Sequence, residues 1–344
     1  MRINPGLRVI SLADGSVCIG SGPGGLWIGG LDDGDRAFIA SLGASAVAAA
    51  DGPAGGHPPG PAPAPALITV SEERAGELLA ALAPVLVPET PFRIPGTRAS
   101  MLAPDIAQWS AAYGRHAGPA VEVRSRAVVR IHGLDRCGQS IASLLAAAGV
   151  GTVALCDPGR VEPGDLGVGP LRLADLGMPR PRALARSLCR HWTHTRFPEW
   201  TPRFGGTAQE ADATVVVTRD WVGADVAGHL AQTQIPHLRV LFTDTGARVG
   251  PLVVPGLTAC LDCSPVPGLP AQVLDADAAP ATAPEVSAAA TAAGLAVMQI
   301  LMLVDGVNVP EAADAVICLD LGTGGITREA VAPSPDCLCL ARAA

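Results

Sequence analysis

Residues 127–157, AVVRIHGLDRCGQSIASLLAAAGVGTVALCD, decide the reading of the fold. A β-branched run over 128–131 leads into a glycine turn at Gly133. From Gly138 onward, Ile141, Leu144, Leu145 and Ala148 recur at i, i+3, i+4 and i+7, the spacing of one helix face. Gly149 and Gly151 end that run, as glycines commonly end helices. Residues 153–156 form a second buried strand with Asp157 at its end. Strand, glycine turn, helix, strand and acid in this order make the first βαβ unit of a dinucleotide-binding fold, and Asp157 follows Gly138 at about the ~20 positions expected of a ribose-binding acid.

The glycine motif is incomplete. The pattern requires Gly-x-Gly-x-x-Gly, and the chain has Gly133-Leu134-Asp135-Arg136-Cys137-Gly138. The middle glycine lets the backbone approach a phosphate. Asp135 puts a side chain and a negative charge there instead. The fold signal is strong and the nucleotide signal weak.

The chain has 344 residues, room for two domains. Its 49% hydrophobic and 16% charged content implies sizeable cores. A net charge of −8 argues against nucleic acid as the main partner, because binding phosphates takes clustered cations. Lysine is absent, which excludes a P-loop lysine and a Schiff-base lysine. The first 15 residues lack the apolar core of a secretory signal. With nine cysteines, this leads to an expectation of a cytoplasmic protein with reduced or metal-bound thiols. Residues 286–304 are uncharged and long enough to span a bilayer. Their alanines with Ser287, Thr291 and Gln299 fit a buried helix better, so no membrane association is expected.

Upstream, residues 7–11, 16–20 and 24–29 read as three short strands separated by Asp14-Gly15 and Gly22-Pro23-Gly24 turns. A helix is expected from about Asp32. Residues 43–66, rich in alanine, glycine and proline, read as a flexible loop or linker. Ser71 is placed to cap a helix whose first turn carries Glu72 and Glu73. Residues 1–90 are therefore expected to form a small winged-helix-like α+β domain, and 91–344 a Rossmann-like α/β domain with a mixed sheet. Within the second, helices are expected over 104–113, 180–191, 221–232 and 284–303, and strands over 214–217, 238–242, 315–319 and 326–331. Residues 248–254 read as a hairpin with Gly250-Pro251 as its turn or bulge.

Cys260-Leu-Asp-Cys263 and Cys337-Leu-Cys339 form two paired knuckles, the ligand count of a closed tetrahedral thiolate zinc site. Four protein ligands leave no open position, so the expected role is structural. Cys18, Cys137, Cys156, Cys189 and Cys318 read as small buried hydrophobes. Cys137 is the one to watch, because a helix N-terminus lowers a thiol pKa. The histidines form no HExxH, and there is no GxSxG, so no catalytic residue is assigned.

Taken in order, the glycine turn, Asp157, Val161-Glu162, the run Leu176-Gly177-Met178-Pro179-Arg180, residues 251–263 and the terminal cysteine pair resemble the ThiF-type superfamily. It contains the adenylating enzymes of thiamine and molybdopterin synthesis and the ubiquitin-activating enzymes. The resemblance covers about residues 100–340. With the N-terminal region, the chain is similar to the ThiF-like partner proteins of thiazole/oxazole-modified peptide pathways. Those bind a precursor peptide and serve a separate YcaO-type cyclodehydratase. The resemblance implies a homodimer and a structural zinc.

The chain departs from the adenylating pattern. Where active members have Asn-Leu-x-Arg-Gln, it has Asp165-Leu166-Gly167-Val168-Gly169. Their Gly-x-Pro-Lys is Gly177-Met178-Pro179-Arg180, and their Thr-Asp-Asn is Thr218-Arg219-Asp220. Adenylation needs cations on the triphosphate and a carboxylate for magnesium. Here Asp135 and Asp165 stand where phosphates would lie and Arg219 where the metal would lie. Gly133, Asp135, Gly138, Asp157 and Arg180 thus outline a degenerate nucleotide site.

Two readings follow. In the first, the protein binds a precursor peptide, with Trp27, Ile28, Leu78 and Leu82 as candidate walls of a groove beside an edge strand, and does not adenylate. In the second, it is an ATP- and magnesium-dependent adenylyltransferase acting on a carrier protein or a peptide C-terminus. A nicotinamide or flavin oxidoreductase would leave the cysteine pairs unexplained. A DNA-binding winged helix would fit poorly with Glu72, Glu73 and Glu77.

Overall fold

The structure is a computed structural model that describes residues 1–22, 24–43, 70–200, 211–219, 222, 226–227, 229–230, 233–265, 283–335, 337 and 339. Two compact units comprise Met1–Glu122 and Val123–Ala344.

The first unit is α+β. Strands β2 (Val9–Ser11), β3 (Val17–Ile19) and β4 (Leu26–Ile28) form an antiparallel sheet in that order. Strand β1 (Arg2–Ile3) pairs with β5 (Leu86–Val87). Helices α1 (Asp33–Gly43) and α2 (Glu72–Leu82) cover one core, built from Ile3, Val17, Ile19, Leu31, Ile39, Leu78, Leu82 and Val85. As expected, Ser71 caps α2, its hydroxyl accepting from the Arg74 N–H. Most of the linker expected over 43–66 lies outside the described residues.

Residues 91–122, read from sequence as the start of the second domain, belong to this first unit. Helix α3 (Gly96–Tyr113) carries Pro104 in its interior and begins eight residues before the start read from sequence. The buried Asn4 side chain donates to the Ser110 carbonyl at 2.7 Å. A Cβ on Gly6 would lie 2.0 Å from the Ala107 carbonyl oxygen, so the N-terminal strand and α3 are in direct backbone contact. Helix α4 (Gly118–Arg124) was not foreseen.

The second unit is built on a seven-stranded mixed sheet. Strand β6 (Val128–His132), helix α5 (Arg136–Ala147) and strand β7 (Thr152–Cys156) reproduce the expected βαβ unit. Helix α6 (Arg180–His191) buries Pro181, Ala183, Leu184 and Leu188 and packs on β7. Strands β8 (Ala213–Arg219) and β9 (His237–Thr243) continue the parallel sheet on the other side of β6. Strands β10 (Gly246–Val253), β11 (Ala315–Asp320) and β12 (Ile326–Ala330) extend it antiparallel. The full order is β12-β11-β10-β9-β8-β6-β7. Residues 248–253 therefore belong to one strand, and Gly250-Pro251 lies at a bulge where the β9–β10 register shifts. The helix expected over 221–232 lies largely outside the described residues.

Helix α7 (Val286–Asp305) is long and apolar enough to cross a membrane, yet half of its most apolar window is buried. It packs on α5 and on the sheet, burying Ala288, Ala289, Ala292, Ala293, Ala296, Ile300 and Leu301. The Arg124–Asp305 ion pair, fully buried, anchors its C-terminal end. The chain leaves β6 for β7 on one side and returns to β8 on the other. In sheets of this kind such a topological switch marks where a ligand crevice lies, here the C-terminal end of β6 beside Gly133.

Candidate functional site

Gly133 turns the chain with φ +84°, and any Cβ there would sit 2.3 Å from the Val217 carbonyl oxygen. A Cβ on Gly138 would lie 2.0 Å from the Gly133 carbonyl oxygen. Both glycines are required by backbone packing, whether or not a ligand binds.

Asp135 is the N-cap of α5. Its carboxylate accepts from the Cys137 and Gly138 N–H groups at 2.9 and 3.2 Å. These amides form the anion-binding end of a helix in a nucleotide-binding fold. Asp157, at the end of β7, accepts from the Leu134 N–H at 2.7 Å and from the Gly159 N–H at 2.6 Å. The amides of the turn thus donate to the protein's own carboxylates. Burial raises the Asp135 carboxyl above its usual range, outweighing those hydrogen bonds and the charge of Arg180.

Arg180 opens α6 and grips Asp165 with two bonds, Nε at 2.8 Å and Nη2 at 3.0 Å. Its other nitrogen lies 3.4 Å from Asp157. Asp165 is 1% exposed and also accepts from the Glu162 N–H. Burial alone would lower the Arg180 pKa; the bond to Asp165 and the charge of Asp157 raise it instead. Arg136 is likewise anchored, its guanidinium donating to the Leu166 and Pro284 carbonyls. Arg219, expected near the metal position, pairs with the exposed Asp244 at 3.1 Å. The structure places Asp135, Asp157, Asp165 and Arg180 around the Gly133–Gly138 turn. The Asp165–Arg180 pair was missed, since no local pattern links residues fifteen positions apart.

Cys260, Cys263, Cys337 and Cys339 converge with all sulfurs within 4.8 Å of one another. Separations are 3.8 Å for Cys260–Cys263, 3.5 Å for Cys260–Cys337 and 3.8 Å for Cys263–Cys339. Thiolates at ~2.3 Å from a tetrahedral metal would lie about 3.8 Å apart, so the four fit one ion. The Ser334 N–H donates to Cys263 Sγ, a supporting contact of the kind that orients a ligand.

Of the cysteines expected to be buried, Cys18, Cys137 and Cys156 are, while Cys189 and Cys318 depart from expectation. Cys137 is buried, and burial with the Asp135 charge pushes its pKa well up, against the expected helix effect. Cys189 is exposed because it faces outward on α6, and Cys318 is half-buried. Of the four candidate groove residues, Leu78 and Leu82 are 2% and 0% exposed and belong to the core, leaving no surface for a peptide. Ile28 packs against the same core. Trp27, on the opposite face of β4, is 65% exposed.

A model of the ThiF family matches residues 121–341. The chain belongs to the ThiF family. No curated protein matches it in sequence. Its fold is shared with ThiF-like solved structures at low identity. Escherichia coli MccB with MccA-N7isoASN has 17% identity and TM-score 0.72 over 98% of this chain and 99% of that one. Escherichia coli MccB with ATP has 17% identity and TM-score 0.69 over 98% and 99%. PaaA has 18% identity and TM-score 0.69 over 95% and 98%. These likenesses span both units and establish the fold.

Proposed function

We propose that this ThiF protein captures a precursor peptide and presents it to a separate modifying enzyme, a YcaO-type cyclodehydratase, without adenylating it. The observation that carries this reading is the self-occupied phosphate end of the crevice: the Leu134, Cys137 and Gly138 amides donate to Asp157 and Asp135, and Arg180 is held by Asp165. An incoming triphosphate would meet carboxylates where it needs cations. The peptide would add as a strand to the edge of the three-stranded sheet, where β4 carries the exposed Trp27. The structures of MccB with MccA, a partner of that protein, support a peptide as the ligand class. The four-cysteine cluster holds a structural zinc, and the protein works as a cytoplasmic homodimer.

The second reading, an ATP-dependent adenylyltransferase, is favoured by the retained Asp157 and Arg180 and by the fold shared with MccB bound to ATP. One experiment separates them. Purified protein is assayed for ATP–pyrophosphate exchange with candidate peptides, and for peptide binding by fluorescence polarisation. Binding without exchange, weakened about tenfold or more by Trp27→Ala, is expected for a large aromatic anchor. Exchange that vanishes in Asp157→Ala would establish adenylation and overturn the first reading.

A further inference from the structure

Helix α6 presents an unusual outer face. Its buried side is apolar, and its exposed side carries Arg182, Arg186 and Arg190 with Cys189 among them. The three arginines recur at i, i+4 and i+8, so they form a ridge about 12 Å long at ~1.5 Å per residue. Residues 172–196 hold six arginines and two histidines against one acid, Asp175, in a chain whose net charge is −8. Asp175 is buried and pairs with Arg186. Among the described residues Arg182 and Arg190 have no ion pair.

At its N-terminal end the arrangement works against the helix that carries it, whereas Arg190 and His191 in the last turn suit the dipole. Like charges at i, i+4 repel, and cations in the first turn oppose the helix dipole. The first turn has no acid, and the N-cap, Pro179, makes no side-chain cap bond. A surface helix serving stability alone would interleave both signs. Arg180 is absorbed by Asp165 and Asp157, but among the described residues no carboxylate pairs with Arg182 or Arg190.

We propose that this ridge docks an acidic peptide segment of a partner protein. An anion run along it would pair with Arg182 and Arg190, which flank the Arg186–Asp175 pair, and give an oriented, salt-sensitive encounter. A 12 Å ridge matches about four residues of extended chain at ~3.3 Å each. A nucleic acid strand, charged along its whole length, would need cations beyond this short ridge, and a chain with a net charge of −8 is a poor partner for one. The docking site is separate from the edge of β4 and does not depend on the peptide reading above.

The test uses the full chain and a fluorescein-labelled oligoglutamate peptide, followed by polarisation at low and physiological salt. Binding that weakens with salt is expected, and R182E/R190E should lose roughly tenfold or more. A reversal of equal charge elsewhere, R93E/R115E, should change binding less than about twofold, because both positions lie outside α6. In wild-type protein the peptide should also slow alkylation of Cys189, read by peptide mass mapping. That arm, with R182Q/R190Q, keeps the test decisive if the reversed variant does not fold. Equal losses in both reversals, unprotected Cys189, or displacement of the peptide by single-stranded DNA of matched charge would each overturn the proposal.

Discussion

Replacing Arg180 by alanine strands Asp165. That carboxylate is 1% exposed and holds two bonds from Arg180 and one from the Glu162 N–H. Removing one partner of a buried pair costs roughly 3–5 kcal/mol, because the remaining charge is left uncompensated. The Glu162 amide stays in place, so the lower end, about 3 kcal/mol, is the expected loss. For a domain of this size ~1 kcal/mol moves the melting temperature by about 2–4 °C, giving a drop of roughly 6–12 °C. Because the chain has two units, the change is best read by calorimetry together with hydrogen exchange of peptides from the second unit. Exchange should rise most around Leu134, whose N–H is held by Asp157. Arg180→Met/Asp165→Asn should recover most of the loss, since it removes the pair as a unit. A loss under about 1 kcal/mol for Arg180→Ala would refute the reasoning, since that is the scale of an exposed ion pair. So would a large thermal stabilisation of the wild type by ATP that the variant lacks, since Arg180 would then be serving the nucleotide.

Three further outcomes are expected. Burial holds the folded Asp135 carboxyl above its usual value, so ionising it costs stability as pH rises from the unfolded value near 3.8 through the raised folded one. Asp135→Asn keeps a capping oxygen and should therefore gain stability relative to wild type as pH climbs through that window; a gap that narrows instead would count against it. Cys263→Ser should lower the metal content below one ion per chain by elemental analysis and speed exchange near Ser334, whose amide rests on that sulfur; unchanged metal content would contradict the four-thiolate site. Residues 1–122 expressed alone should be more stable than 1–90, because the shorter piece loses the Asn4–Ser110 bond and the close contact of Gly6 with α3; equal melting temperatures would contradict this.

The parts legible in sequence are those governed by local periodicity and turn chemistry. The βαβ unit of β6, α5 and β7 was readable because a period of 3.6 lies between two β-branched runs and is bounded by glycines. The Ser71 cap was readable for the same kind of reason. The two cysteine knuckles were found because ligand spacing is short, although their convergence joins positions about 77 residues apart. The Asp165–Arg180 pair was not legible, since tertiary folding alone brings it together. Pro104 concealed the first half of α3, because proline inside a run usually marks a helix start or break. Asp135 was read as a charge placed against phosphate. It also stands directly before a helix, where an aspartate caps, and that signal was available. The two roles agree, since the cap is what fills the anion end. For Leu78 and Leu82 the amphipathic pattern gave the face and not the occupant, which is the protein's own core.

The two outer glycines of the turn bear on how such chains should be recognised. A side chain at Gly133 or Gly138 would collide with the backbone of β8 or of the turn itself, so the sheet could not close around it. These two letters of the signature therefore act as masonry, required whether or not the site has a tenant. Position 135 is different: there a side chain has room, and an aspartate can seat itself on the amides that a phosphate would otherwise take. In a turn of this shape the outer letters report on how the backbone packs, and the middle letter on whether the helix amides are open to an anion, so a search for nucleotide sites should weight position 135 above the other two.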